Sequence, residues 1–155
     1  MRTKMDSNIL GGLIKRIYPD FNLNSFENRL KLQKIIFLMR SHDLDLGYNY
    51  NLYMRGPYSV SLTRDAFLIE DWNIIEETIF TDQDTEERFT TFINKITPYK
   101  NNTKWLEIAS TLLLIKSLKD PNDKQLIKEC NEIKKDYTIK DIELVLNEMK
   151  KEGFI

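Results

Sequence analysis

The sequence contains few residues of the types that perform catalysis. Its only histidine, His42, and its only cysteine, Cys130, are the candidates for acid-base or nucleophilic chemistry. A Ser-His-Asp or Cys-His mechanism would need His42 beside a nucleophile, whereas it follows a predicted helix whose dipole favours the imidazolium form. Cys130 falls on an apolar helix face, where free cysteine normally packs as a small hydrophobe. We therefore expect no enzymatic activity.

The familiar cofactor motifs are also missing from the sequence. Asp82, Asp84 and Glu86 alternate like the start of a calcium-binding loop. That loop needs glycine at its sixth position and glutamate at its twelfth, where this chain has Glu87 and Ile93. The sequence offers neither a Cys/His cluster for zinc nor a glycine-rich loop for phosphate. We expect no cofactor.

The small net charge of −1 conceals a strong segregation of charge along the chain. Residues 1–40 carry a balance of +5 and residues 41–100 a balance of −6. From Asp65 to Glu87 there are nine carboxylates and no lysine or arginine. Because complementary charge guides protein association, this acidic stretch predicts a partner protein with a basic surface. Within it we expect the contacts to come from Glu76, Glu77, Asp82 and Asp84.

Length and composition favour one domain in the cytoplasm. The 155 residues, of which 41% are hydrophobic, are enough for a single domain with a core of useful size. A lone cysteine cannot form an internal disulfide, which is typical of cytosolic proteins. The amino-terminal segment makes a poor signal peptide, and no apolar run is long enough to cross a membrane.

Hydrophobic periodicity predicts six or seven helices with a small β element, forming one domain over residues 1–155. The expected helices are residues 7–17, a central helix after Asn24 or Ser25, one from Ser59 or Ser61, and four later ones. The four later helices are expected to begin at a capping box of Asp84 and Glu87, at Thr103, at Asp120-Pro121 and at Thr138. Alternation predicts a strand over residues 48–55, whereas residues 73–80 fit either a second strand or more helix.

The most distinctive segment is the corner formed by residues 53–59, in which a strand, a Gly-Pro break and a serine-capped helix follow one another. It presents Tyr53, Arg55 and Tyr58, and tyrosine and arginine are enriched at binding interfaces. Gln33, an amide within an apolar helix, is expected to satisfy backbone groups of the turn. The structural residues of this corner are Gln33, Gly56, Pro57 and Ser59.

Nucleic-acid binding is the alternative function. The order of elements at the carboxyl-terminal end is typical of a winged helix: helices are predicted at 104–118, 122–134 and 138–152, and Gly-Phe-Ile follows them. The other candidate site for nucleic-acid binding is a group of basic residues on the central helix: Arg29, Lys31 and Lys34. The last helix mixes lysines with carboxylates that would repel phosphate, so this alternative is disfavoured.

The segment RLKLQKIIFL at residues 29–38, followed by YMRGPYS at 53–59, resembles the YwgA-like proteins of bacteria and archaea. More distantly, it is similar to the SocA-like (Panacea) antitoxins, which share the KLQK helix and the Gly-Pro turn. The resemblance covers residues 29–65 and implies a mostly helical, non-enzymatic protein. In the antitoxin group, such a protein neutralises a partner or delivers it to a protease. We therefore expect an antitoxin-like or regulatory, defence-associated module that binds another protein.

Overall fold

The computed structural model describes residues 6–53 and 56–155. Within these residues the fold is mainly helical with one antiparallel hairpin, which confirms the predicted fold class. The helices are α1 (Ser7–Ile17), α2 (Phe26–Leu38), α3 (Val60–Phe67), α4 (Gln83–Ile96), α5 (Thr103–Lys119), α6 (Asp123–Ile133) and α7 (Ile139–Glu152). The strands are β1 (Asn51–Tyr53) and β2 (Gly56–Tyr58), and 3-10 turns cover Met39–His42 and Trp72–Ile74.

Helices α2 and α5 lie at the centre of the fold. They pack against each other, and α5 also contacts α6, α7 and β2. Nearly all of α5 from Trp105 to Ile115 is buried, as its apolar circumference predicts. Helix α2 is buried from Leu32 to Leu38, which places it between neighbours on more than one side. Strand β2 therefore packs on both central helices, whereas α3 packs mainly on α1 and α2.

Capping side chains set the helix starts, although three of them differ from the sequence prediction. For α5 the predicted cap Thr103 is wrong, because Asn102 caps the helix by accepting from the Trp105 N–H. Thr138 and Asp141 form the capping box that begins α7, so the predicted cap at Thr138 is confirmed. The predicted box of Asp84 and Glu87 is wrong, because Asp82 caps α4 by accepting a hydrogen bond from the backbone N–H of Thr85. For α6 the cap is Asn122, which replaces the predicted Asp120-Pro121. Asp120 instead ends α5 in the left-handed region, with φ of 48°.

Strand β1 is shorter than the strand predicted over residues 48–55, and the Gly56-Pro57 pair that was expected to end the β element lies in β2. Strand β1 pairs with β2 in antiparallel fashion, with Leu52 opposite Pro57 and Tyr53 opposite Gly56. Proline is tolerated in such a hairpin because both of its strands are edge strands. Gly56-Pro57 therefore forms a strand, and the predicted break at this point is wrong.

The segment after α3 lies against α1 and is neither of the two structures predicted for residues 73–80. After the turn at Trp72–Ile74 it has no regular secondary structure. The Lys15 ammonium donates to the carbonyl oxygens of Asn73 and Ile75, at 3.2 and 2.9 Å. A Cβ on Gly12 would lie 2.5 Å from the Glu76 carbonyl oxygen, so this glycine permits the close approach. Side chains of α1 thus satisfy backbone groups that a strand or helix would otherwise pair.

The carboxyl-terminal residues pack inward. Gly153, with φ of 78°, ends α7, and Phe154 is 1% exposed. Its ring contacts those of Phe92 and Trp105, with centroid separations of 6.1 and 5.9 Å. Gly153-Phe154-Ile155 therefore forms no wing strand, which counts against the disfavoured winged-helix alternative. In the described part of the chain, no helix is both long enough and apolar enough to span a membrane.

Candidate functional site

The Gln33 side chain fixes the corner between β2 and α3. It is 2% exposed; its Nε2 donates to the Ser59 carbonyl oxygen at 2.9 Å, and its Oε1 accepts from the Ser59 N–H at 2.8 Å. The Ser59 hydroxyl in turn accepts from the Leu62 N–H at 3.3 Å and caps α3. The amide thus satisfies the backbone of the turn, which is the contact expected of Gln33.

The strand that enters this corner is held by close packing on α2 and α5. Gly56 has φ of +94°, and a Cβ there would lie 2.6 Å from the Thr111 hydroxyl on α5. The Lys34 ammonium donates to the Pro57 carbonyl oxygen at 2.8 Å. Only glycine suits position 56, because both the positive φ and the lack of space exclude a side chain there. The corner is therefore preorganised by the core.

These contacts contradict the nucleic-acid role suggested for Lys34 and leave Arg29 and Lys31 only partly accessible. Lys34 is 2% exposed and cannot reach a phosphate, so its assignment to nucleic-acid binding is wrong. The Lys31 side chain is 12% exposed, and its ammonium lies 3.4 Å from a Glu27 carboxylate oxygen. Arg29 is partly buried, and its Nη1 donates to the Leu23 carbonyl oxygen at 2.7 Å. The three residues do not form an open row of cations.

A cleft of about 150 Å³ opens between α2 and α3, directly beside the corner. Its apolar lining comes from Leu23, Phe26, Leu30, Leu32, Ala66 and Phe67. Its polar lining comes from Arg29, Gln33, Lys34, Tyr58 and Thr63. At the edges, the Phe26 and Phe67 side chains are 55% and 57% exposed, which is unusual for large aromatic groups. Sequence reasoning missed this cleft, because the apolar pattern of each helix does not show how two helices meet.

The two tyrosines of the predicted interface lie together on the hairpin. Their ring centroids are 5.4 Å apart in an edge-to-face arrangement. Tyr58 is half-buried and lines the cleft, and its hydroxyl is 2.7 Å from that of Thr63. Tyr53 is exposed on the neighbouring strand. Arg55, the third member of the predicted interface, lies outside the described residues.

The acidic stretch does not form one continuous face. Asp65 is buried and accepts a hydrogen bond from the Tyr48 hydroxyl at 2.7 Å. Glu86 binds the Arg16 guanidinium through both carboxylate oxygens, at 2.7 and 2.6 Å, and these bonds lower the pKa of Glu86. At least these two of the nine carboxylates therefore serve the fold, and they are not among the four residues expected to contact a partner.

The four carboxylates chosen as partner contacts divide into two pairs. Asp82 caps α4, and hydrogen bonds from the side chain and backbone of Thr85 lower its pKa. Asp84 lies 3.4 Å from the Arg88 guanidinium on the same helix. Glu76 and Glu77 are exposed on the segment that follows α3. They occupy a different element from the tyrosine pair.

His42 is arranged against the role of a general base. Ser41 uses its one hydroxyl proton to donate to the Leu38 carbonyl oxygen at 2.7 Å. Nδ1 of His42, 2.8 Å from that hydroxyl, therefore donates to it and does not activate it. Burial, and secondarily the nearby Lys95 ammonium, lowers the pKa of His42. The prediction that the helix dipole favours imidazolium is wrong, because burial outweighs it.

Cys130 is buried, and burial raises the pKa of its thiol to about 12. A thiolate nucleophile at neutral pH is incompatible with such a pKa. Within residues 6–53 and 56–155, no three His, Cys, Asp or Glu side chains form a group that could hold a metal ion.

The chain matches no protein-family model, no curated protein and no solved structure. Function is therefore argued from the site, whose main elements are the fixed corner and the adjoining cleft.

Proposed function

We propose that this protein is a non-enzymatic module of the cytoplasm that binds another protein through the cleft between α2 and α3. The observation that carries the proposal is the position of Phe67, a large aromatic side chain 57% exposed at the edge of an apolar concavity. Exposed aromatic groups around a cleft are typical of protein-interaction surfaces, because their burial releases water from a large apolar area.

The rigid surroundings of the cleft support this role. Gln33 lines the cleft and also holds Ser59 in place. The same side chain therefore contributes both to the packing of the fold and to the shape of the cleft. A preorganised surface loses little conformational entropy on binding and therefore keeps more of its interaction energy. The resemblance at residues 29–38 and 53–59 suggests that the role is antitoxin-like or regulatory.

The environments of His42 and Cys130 support the non-enzymatic part of the proposal. His42 donates to the hydroxyl of Ser41, whose proton is already donated to the Leu38 carbonyl oxygen. Cys130 is buried, and burial raises the pKa of its thiol. Neither group has the activated partner that nucleophilic catalysis requires.

The test is recovery of the partner from the native host by a tagged copy of this protein. We expect the wild-type chain to recover a defined partner, and Phe67→Arg to lose it. The matched control is Leu118→Arg, because Leu118 on α5 is 72% exposed and lies outside the cleft lining. Equal recovery by both variants, or no partner for the wild type, would overturn the proposal. A Glu76→Gln/Glu77→Gln variant tests the exposed acidic pair in the same experiment.

A further inference from the structure

We infer that the cleft recognises a large apolar side chain of the partner that lies next to a carboxylate. This inference rests on the proposed function and names the chemistry of the peptide segment that the cleft takes. It is argued from the volume of the cleft, the Arg29 guanidinium and the two hydroxyl groups of Tyr58 and Thr63.

The volume suits one side chain. At about 150 Å³ the cleft is smaller than the pockets of drug-sized ligands, which begin at roughly 300 Å³. Apolar cavities of about 150 Å³ are known to hold one benzene ring. The lining from Leu30, Ala66 and Phe67 matches an aromatic or branched aliphatic side chain.

Arg29 contributes a guanidinium group to the residues that line this cleft. A guanidinium group has five N–H donors, and the hydrogen bond to the Leu23 carbonyl oxygen engages Nη1. Among the described residues, Arg29 makes no ion pair, and no aspartate or glutamate lines the cleft. A carboxylate is the natural complement, because it accepts two parallel hydrogen bonds from arginine.

The hydroxyl pair leaves one further donor. Tyr58 and Thr63 have two hydroxyl protons between them, and the 2.7 Å bond that joins them uses one. The Thr63 oxygen also accepts from Gln33 Nε2 at 2.8 Å, which uses a lone pair and no proton. One hydroxyl proton therefore remains for an acceptor outside the protein. The cleft thus combines an apolar wall with donors and a cation, which selects an anionic oxygen next to an apolar group.

The test uses two small probes in an NMR titration of the full-length, isotope-labelled protein. N-acetylphenylalanine has an aromatic ring and a carboxylate, whereas N-acetylphenylalanine amide is its neutral counterpart. We expect the acid to shift amide signals of residues 26–34 and 58–67 and to bind at least fivefold more tightly than the amide. In Arg29→Gln this preference should disappear, whereas Arg64→Gln, which changes an exposed arginine outside the cleft lining, should retain it.

The outcomes separate this inference from the proposed function. Equal binding of acid and amide at the cleft would overturn the carboxylate preference and leave the cleft as a protein-binding surface. The inference would also be overturned if neither probe, at 20-fold excess over about 1 mM protein, shifted the signals of the cleft. The proposed function would then still be judged by the Phe67→Arg comparison. Retention of the preference in Arg29→Gln would also contradict it.

Discussion

The side-chain amide of Gln33 pairs with the backbone of Ser59 through two hydrogen bonds, as a neighbouring strand would. Nε2 donates to the carbonyl oxygen at 2.9 Å and Oε1 accepts from the N–H at 2.8 Å, and both residues are buried. One side chain on α2 therefore completes the backbone hydrogen bonding of the corner that begins α3. The cleft beside it depends on the same contact, because Gln33 also donates to Thr63.

Replacing this amide should destabilise the fold strongly. Gln33→Leu leaves the buried Ser59 N–H without its partner, whereas the Ser59 carbonyl oxygen keeps the bond from the Thr63 N–H at 3.3 Å. An unpaired buried group costs about 1–3 kcal/mol, so we expect the free energy of unfolding in urea to fall by about that amount. Gln125→Leu, at an exposed position on α6, should change it by less than about 0.5 kcal/mol. Similar values for the two variants would show that the Gln33 contact does not hold the corner.

A methyl group at Gly56 should also be poorly tolerated. The left-handed dihedral alone costs about 1–2 kcal/mol for a residue with a Cβ, and the contact with the Thr111 hydroxyl adds to it. Gly56→Ala should therefore lower the unfolding free energy by more than about 2 kcal/mol. Gly153→Ala should show the dihedral effect alone, because its nearest neighbour is the flexible end of Lys95 at 3.3 Å.

A second measurement on the same glycine identifies the clash. In a Thr111→Ala background the hydroxyl is absent, so Gly56→Ala should have a smaller effect than in the wild type. Strictly additive effects would contradict the proposed contact between position 56 and Thr111.

The ion pair of Arg16 and Glu86 should make stability depend on pH in the acid range. Hydrogen bonds from Arg16 lower the pKa of Glu86 from its ordinary 4.5, so the folded state favours the carboxylate. The stabilisation is fully present above pH 4.5 and is lost as the pH falls through the lowered pKa. At pH 7, Glu86→Gln should lower the unfolding free energy by about 1–3 kcal/mol.

Urea titrations across the acid range check this prediction. The difference between wild type and Glu86→Gln should shrink as the pH falls below 4.5. Glu87→Gln, at an exposed position on the same helix, should lie close to the wild type at pH 7. A difference for Glu86→Gln that stays constant at all pH values would contradict the role of the charge.

Cys130 should be nearly inert in the native protein. Its thiol is buried between α6 and its neighbours, and burial raises its pKa to about 12. We expect alkylation by iodoacetamide at pH 8 to be at least 100-fold slower in the folded protein than in urea. A native rate close to that of a small thiol would show that α6 opens readily.

The helical part of the fold was predictable because local signals specify it. Thr138 caps α7 as expected, and the apolar positions of α2 and α5 marked the two central helices. Errors arose where several candidate caps stand close together, as at Asp82 and Asp84, since local sequence does not decide between them.

Residues 75–81 and the cleft could not be predicted, because their structure depends on distant residues. The segment of residues 75–81 is positioned by Lys15 and Arg16 of α1, which lie about sixty positions away in sequence. The cleft lies between α2 and α3, which Gln33 links through hydrogen bonds to Ser59 and Thr63. A partial signal was present, since two large apolar residues, Phe67 and Leu68, follow each other at the end of α3.

The most direct test of the central claim is photo-crosslinking from the edge of the cleft. Benzoylphenylalanine would replace Phe67 in one copy of the protein and Leu118 in another, and each copy would be irradiated in the native host. The account predicts one discrete crosslinked protein from position 67 and none from position 118. A crosslink from position 118 without one from position 67 would contradict it.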